Sequence, residues 1–434
     1  MRSVVHSSQV HRMAWSKLKS FGAVAVVVVS VVLGALRFKP HSEEALLVDW
    51  SAPPPWPIFI AVNALAGALR SASDALTPPP IKMLEMAMGY HHTILVHIAQ
   101  KFKIPDLLAK KPLSAAEIAA AVGSDARYIE RIMYACAANG VFQLAATQDG
   151  TSHRFINTAL SAVLRVDHPN SMRAMVGHNA EDAYPMWGRL ADFMANPKGP
   201  VAWDLAFPDY PLSKGGVWSF FEAHSSQEDQ FSRAMTSLDS LGAKAMVEDG
   251  PWHRFTRVVD IGGGRGHFMH RLLQAHSSLQ GVVVDRAAVI DLAKKAWAPT
   301  GEFSSVASRV KLQAGDFFQA LSIPKAADGD GYYMRYILHD WPSEEVVAIL
   351  RNVRAAMGSA KATLLIGECG LPEHDKVGVP PVMYQIDVQM MAHFGSAQER
   401  TPAQWKLLLS QVGFEVVAFH STRSLLQWVE ARPV

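Results

Sequence analysis

Two cysteines, Cys136 and Cys369, are all that the 434 residues contain. That excludes a disulfide framework and a cysteine-rich metal site. Charge is sparse as well: charged residues make up 18% of the chain and the formal net charge is only +2. So small a balance gives no argument for nucleic acid or for an acidic partner. Acidic residues are missing altogether from the first 42 positions, Glu43 being the first. What is abundant is apolar: 49% of the chain is hydrophobic, enough for a sizeable core, and the length predicts two or three domains.

The acid-free start carries Arg2, Arg12, Lys17 and Lys19 ahead of an apolar run from Phe21 to Leu36, closed by Arg37 and Lys39. A bilayer-spanning helix needs about 20 apolar residues and a signal-peptide core about 7–15, and this run falls between them. Residues 1–42 are therefore expected to be a membrane anchor or a targeting segment. The expected location is a membrane or an organelle through that segment, and otherwise the cytoplasm. No Ala-x-Ala pattern follows the run, which favours an anchor. Residues 43–80 are expected to form a Pro-rich linker and then an amphipathic helix from Ile58 to Leu76. Thr77-Pro78-Pro79-Pro80 should stop that helix.

From Ile81 the chain turns apolar, with Met83, Met86, Met88 and Leu95 on nearly every helical face. Such a helix is expected to be buried, often against a second subunit. Ser114 and Glu117 are spaced as a capping box, and Gly123 should end that helix. A second helix is expected from Ala126 to Asn139, with Ile129, Ile132 and Met133 inward. Two short strands follow, joined by Asp149-Gly150. Residues 81–180 thus predict a winged-helix domain. Arg127 and Arg131 are balanced by Asp125 and Glu130, so its expected role is dimerisation, not DNA binding. Residues 181–255 should be a helical connection rich in Trp, Phe and Met that helps wall a substrate pocket.

Residues 256–434 alternate strand and helix, with strands visible at 257–261, 281–285, 310–313, 331–334, 363–367 and 414–419. The fold class is α/β, a doubly wound Rossmann-like domain. Its first strand runs into Val259-Asp260-Ile261-Gly262-Gly263-Gly264-Arg265-Gly266-His267. A dinucleotide motif would have a third glycine where His267 stands. The acid before the glycines points instead to a ligand without a pyrophosphate. Asp285 ends the next strand, where a ribose-binding carboxylate is expected. Asp316-Phe317 follows the third, supplying an acid and an aromatic face for an adenine. Together they predict a nucleoside-type cofactor.

His339 lies just past the fourth strand, in Leu338-His339-Asp340-Trp341. Glu368 ends the fifth strand, and Glu399 lies in Glu399-Arg400-Thr401. A histidine held by carboxylates keeps one tautomer and has its imidazolium stabilised, which suits a general base.

These segments resemble the plant caffeate-type and hydroxyindole-type small-molecule O-methyltransferases, over about residues 80–434. The resemblance implies S-adenosylmethionine (SAM) as cofactor, a homodimer, a small aromatic acceptor and no metal. It implies His339 as base flanked by Glu368 and Glu399. It places Gly262, Asp285, Asp316, Phe317 and Arg335 at SAM, and Met391 and Phe394 at the substrate. From the chain itself, Asp260 and Gly264 of the glycine turn are also expected at the cofactor, and Met235 in the substrate pocket. Arg335 stands where plant members have lysine. Phe394 is bulkier than the plant residue. A thioether or amine acceptor on the same scaffold is the nearest alternative. A non-catalytic winged-helix scaffold or regulator is the alternative of another class.

Overall fold

The computed structural model describes residues 47, 52–146, 153–373 and 380–434. The apolar run at 21–36 lies outside the described residues, and so does the Asp149-Gly150 turn. Among the described residues no helix is long and apolar enough to cross a membrane. The chain divides into two compact units between Arg173 and Ala174.

The first unit opens with helices Trp56–Leu76 and Pro79–Ala87. The first ends at Thr77 as expected, but Pro79 and Pro80 begin the next helix instead of separating it. Proline suits a first helical turn, where its missing N–H would be unpaired anyway. Neither helix has a buried residue. Met83 and Met86 are 65% and 67% exposed, so a single chain leaves open the face expected to be covered. The expected capping box is present: Ser114 Oγ accepts the Glu117 N–H, and Glu117 Oε2 accepts the Ser114 N–H. Gly123 ends that helix in the left-handed region at φ 70. Helix Ala126–Ala138 buries Ile129, Met133 and Cys136, while Ile132 is only half-buried. Strands β1 (Phe142–Ala146) and β2 (His153–Asn157) pair antiparallel, completing the wing.

The second unit is built on a seven-stranded sheet. Its strands are β3 (Arg257–Ile261), β4 (Gln280–Asp285), β5 (Val310–Ala314), β6 (Asp330–Arg335), β7 (Thr363–Cys369), β8 (Phe414–Ser421) and β9 (Leu426–Pro433). Their order is β5-β4-β3-β6-β7-β9-β8. The first five are parallel, and β9 enters antiparallel between β7 and β8. The sheet is therefore mixed, and β9 is a strand the expected pattern lacked. Alternate strand residues face opposite layers. Val259, Tyr332 and Ile366 enter one apolar layer, and Val258, Tyr333 and Leu365 the other. Burying both faces explains why the parallel strands are nearly continuous apolar runs. The chain runs outward from β3 to β5 and then returns to β6 on the other side of β3. That reversal opens a crevice at the carboxyl end of β3, where ligands of such sheets sit.

Candidate active site

The glycine stretch leaves β3 and turns into helix His267–Ala275. Gly262, Gly264 and Gly266 lie at φ 76, 59 and 87, conformations that side chains resist. A Cβ on Gly262 would stand 2.4 Å from Ile337 Cδ1, whereas one on Gly264 would meet nothing within 4 Å. The turn is thus packed beneath Gly262 and open over Gly264. A Cβ on Gly266 would meet the Trp297 ring, at 2.9 Å from Nε1. This glycine allows the close packing that the missing third glycine of a dinucleotide motif would have served. Asp260 is buried under Gly263, and burial pushes its carboxyl up to about 7 despite Arg335 nearby.

Strand register aligns the remaining acids. Asp285 pairs with Ala314 at the ends of β4 and β5. Its Oδ2 accepts the Gly264 N–H at 2.8 Å and its Oδ1 the Arg286 N–H at 2.7 Å. Each oxygen keeps a lone pair for a ligand hydroxyl. Asp316 forms its own turn, accepting the Phe318 N–H at 2.9 Å. Phe317 and Phe318 both meet the Trp341 ring edge-on, at 5.8 and 4.8 Å. Arg335 is hydrogen-bonded to Asp239 and lies over the Phe268 ring at 4.7 Å. Sequence reasoning missed Asp239. It stands four residues after Met235 on helix Ser225–Asp249, a spacing that shares one helical face.

Tyr336, directly after β6, has φ 54, a costly conformation for a side chain of that size. The strained residue starts the turn that carries His339. Arg335 pairs with Gly367, so Glu368 lies beside that turn. Glu368 Oε1 accepts the N–H groups of Ile337 and Leu338 at 3.1 and 2.9 Å. Fully buried Arg400 donates to the carbonyls of Leu338 and Trp341, each at 2.9 Å. Opposite charges thus clamp the turn from both sides.

His339 Nδ1 lies 2.6 Å from Glu399 Oε1 and 3.6 Å from Glu368 Oε2. The two carboxylates therefore divide the expected orienting role: Glu399 bonds the ring, while Glu368 mainly holds the backbone. Asp340 Oδ1 is 3.5 Å from Nε2. Donor atoms of His339, Glu368 and Glu399 lie within 4.8 Å of one another, a set a cation could also use. At 2.6 Å the His339–Glu399 contact has the length of a charge-assisted hydrogen bond, below the roughly 3.4 Å that separates two tetrahedral ligands at about 2.1 Å from one ion. Burial works against the imidazolium, and the carboxylates of Glu368, Glu399 and Asp340 overcome it, pushing His339 up to about 10. Burial raises the Glu368 carboxyl too. The cluster is a strong proton acceptor matched to a phenol, whose pKa is about 10.

Helix Pro381–Phe394 is tied to this cluster, because Asp387 Oδ1 accepts the Glu399 N–H at 2.8 Å. Its last residue, Phe394, stacks on Trp218 at 6.3 Å and joins a layer containing Trp203, Phe220 and Phe221. Met391 and Met235 are half-buried. Trp187 is 37% exposed, its Nε1 spent on Gln389.

The model of the O-methyltransferase domain matches residues 187–415, and that of the O-methyltransferase dimerisation domain matches 84–167. Phenazine O-methyltransferase PhzM of Lysobacter antibioticus is 33% identical over 81% of this chain and 96% of its own. The 8-amino-8-demethylriboflavin N,N-dimethyltransferase of Streptomyces davaonensis is 32% identical over 78% of this chain and 91% of its own. Among solved structures, CalO1, a methyltransferase of calicheamicin biosynthesis in SAH-bound form, is 27% identical with a TM-score of 0.66, covering 82% of this chain and 98% of that one.

Proposed function

The chain belongs to the SAM-dependent O-methyltransferase family, and from that premise we propose that it methylates a hydroxyl of a small aromatic molecule with His339 as general base. One observation carries this reading: the 2.6 Å bond from His339 Nδ1 to buried Glu399, which leaves Nε2 as the ring's working nitrogen. SAM, when bound, supplies a methyl group on a sulfonium. The residues present fit it. The turn is open over Gly264, Asp285 keeps two lone pairs for ribose hydroxyls, and Phe317 offers an apolar wall. Asp260, Gly262, Asp316 and Arg335 complete the cradle.

The acceptor hydroxyl gives its proton to His339 Nε2 as its oxygen takes the methyl, leaving a methyl ether and S-adenosylhomocysteine. Glu399 fixes the tautomer, and both glutamates stabilise the imidazolium that forms. Proton removal of this kind contributes about 10²–10⁴ in rate. Positioning of the two reactants supplies much of the rest. Met235, Met391 and Phe394 wall the acceptor. The likeness to the riboflavin-type N,N-dimethyltransferase favours a second reading, an aromatic amine as acceptor.

A panel of oxygen, nitrogen and sulfur nucleophiles, read out by S-adenosylhomocysteine release, tests the assignment. Hydroxy-aromatics should lead. Turnover confined to amines or thioethers would displace the hydroxyl reading.

A further inference from the structure

A second histidine–carboxylate pair lies among the aromatic helices of the catalytic unit. His178 closes helix Arg173–His178, and Asp182 lies in the π-turn Asn179–Ala183 that follows. Wide turns of this kind occur often at functional sites. His178 Nδ1 is 3.0 Å from Asp182 Oδ2, and the two residues are only 6% and 1% exposed. Asp182 can only accept at this contact, so it fixes the proton-bearing nitrogen as Nδ1, and in the ring's neutral form the lone pair lies on Nε2. Nε2 has no hydrogen-bond partner among the described residues, yet it is not among the atoms sealed from solvent.

The ring faces the layer where the acceptor was placed. It packs edge-on against Phe231 at 5.3 Å, Phe231 against Trp218 at 6.0 Å, and Trp218 stacks on Phe394. Glu181 receives the Gln230 amide at 3.0 Å, and Gln389 receives Trp187. His393 stacks on Trp203 at 5.7 Å with Nδ1 3.0 Å from the Gln389 carbonyl, so its Nε2 too is a lone pair. Burial, with His178 nearby, pushes His393 down to about 4 and keeps it neutral.

We infer that His178, oriented by Asp182, is a specificity-determining residue: its Nε2 accepts a hydrogen bond from a second hydroxyl of the acceptor, remote from the one methylated. The acceptor class is then an aromatic ring system with at least two hydroxyls. The inference rests on the hydroxyl-methylation reading above. An acceptor lacking the second hydroxyl leaves the imidazole nitrogen dry and unpaired, which is how a polar pocket rejects the poorer analogue.

The test compares the naphthols with the dihydroxynaphthalenes as acceptors, for the wild type, His178→Phe and Asp182→Asn, with SAM affinity measured alongside. The wild type should favour at least one diol by about tenfold or more in kcat/KM. Both variants should bring that ratio to near one, through a higher KM for the diol, with SAM still bound. Asp182→Asn keeps the ring and alters only its tautomer, so it serves even if His178→Phe fails to fold. A preference that survives in the variants overturns the inference. So does a loss that falls on kcat equally for both acceptor types. If the wild type turns over no hydroxyl acceptor at all, the reaction assignment falls first, and this inference with it.

Discussion

Glu399→Gln perturbs the base in a way that can be worked through. The carboxylate is fully buried and bonded to His339 Nδ1 at 2.6 Å. Two unit charges about 4 Å apart at an effective dielectric constant near 20 interact by about 4 kcal/mol. At about 1.4 kcal/mol per pH unit that is roughly 3 units of proton affinity. His339, held up at about 10 by its carboxylates, should fall to near neutrality. The sign follows from the chemistry. The base works only when deprotonated, so kcat/KM of the wild type rises with pH through neutrality and levels in the alkaline range. The variant should level at a lower pH. Its plateau should also drop by about 10²–10⁴, because a glutamine amide can donate to Nδ1 and place the remaining proton on Nε2. The assay is kcat/KM against pH from about 5 to about 11 at saturating SAM, with S-adenosylhomocysteine release as readout. An unmoved or more alkaline limb, or an undiminished plateau, would refute the assignment of Glu399 as the partner of the base.

Gly262→Ala puts a methyl 2.4 Å from Ile337 at φ 76. SAM affinity should weaken by about tenfold, near 1.4 kcal/mol, by calorimetry, and unaltered affinity would mean the turn does not touch SAM. Asp239→Asn leaves half-buried Arg335 without its bonded counter-charge and should cost about 1.5–3 kcal/mol in denaturant unfolding. A loss well under that would show Arg335 finding another partner. Met86→Glu charges a side chain that is 67% exposed in a single chain, inside the segment matching the dimerisation domain. It should shift sedimentation toward monomer, and an undisturbed dimer would place the interface elsewhere.

Much of this was legible in the sequence because local chemistry agreed with the fold. The Ser114–Glu117 box and the β-branched runs of β3 and β4 mark their elements without help from distant contacts. The base cluster was legible as residues but not as roles. That Glu399 bonds the ring while Glu368 holds the Ile337 and Leu338 amides depends on strand register across the sheet. β9 was hidden by its polar residues. Glu430 reads as a surface charge, yet it is buried between Arg254 and His420, each at 2.7 Å. Asp239 escaped because its partner Arg335 lies 96 residues away in the chain. His178 and Asp182 stand four apart, an ordinary helical spacing, but nothing in the local sequence marks that pair as buried among the aromatic helices.

The central claim is that an imidazole at position 339 removes the acceptor's proton. Its most direct measurement is S-adenosylhomocysteine release by His339→Ala at saturating SAM and acceptor, beside SAM affinity on the same preparation. Affinity within about twofold of wild type and turnover lower by about 10²–10⁴ is the expected result. Turnover at the wild-type rate with SAM bound would contradict it.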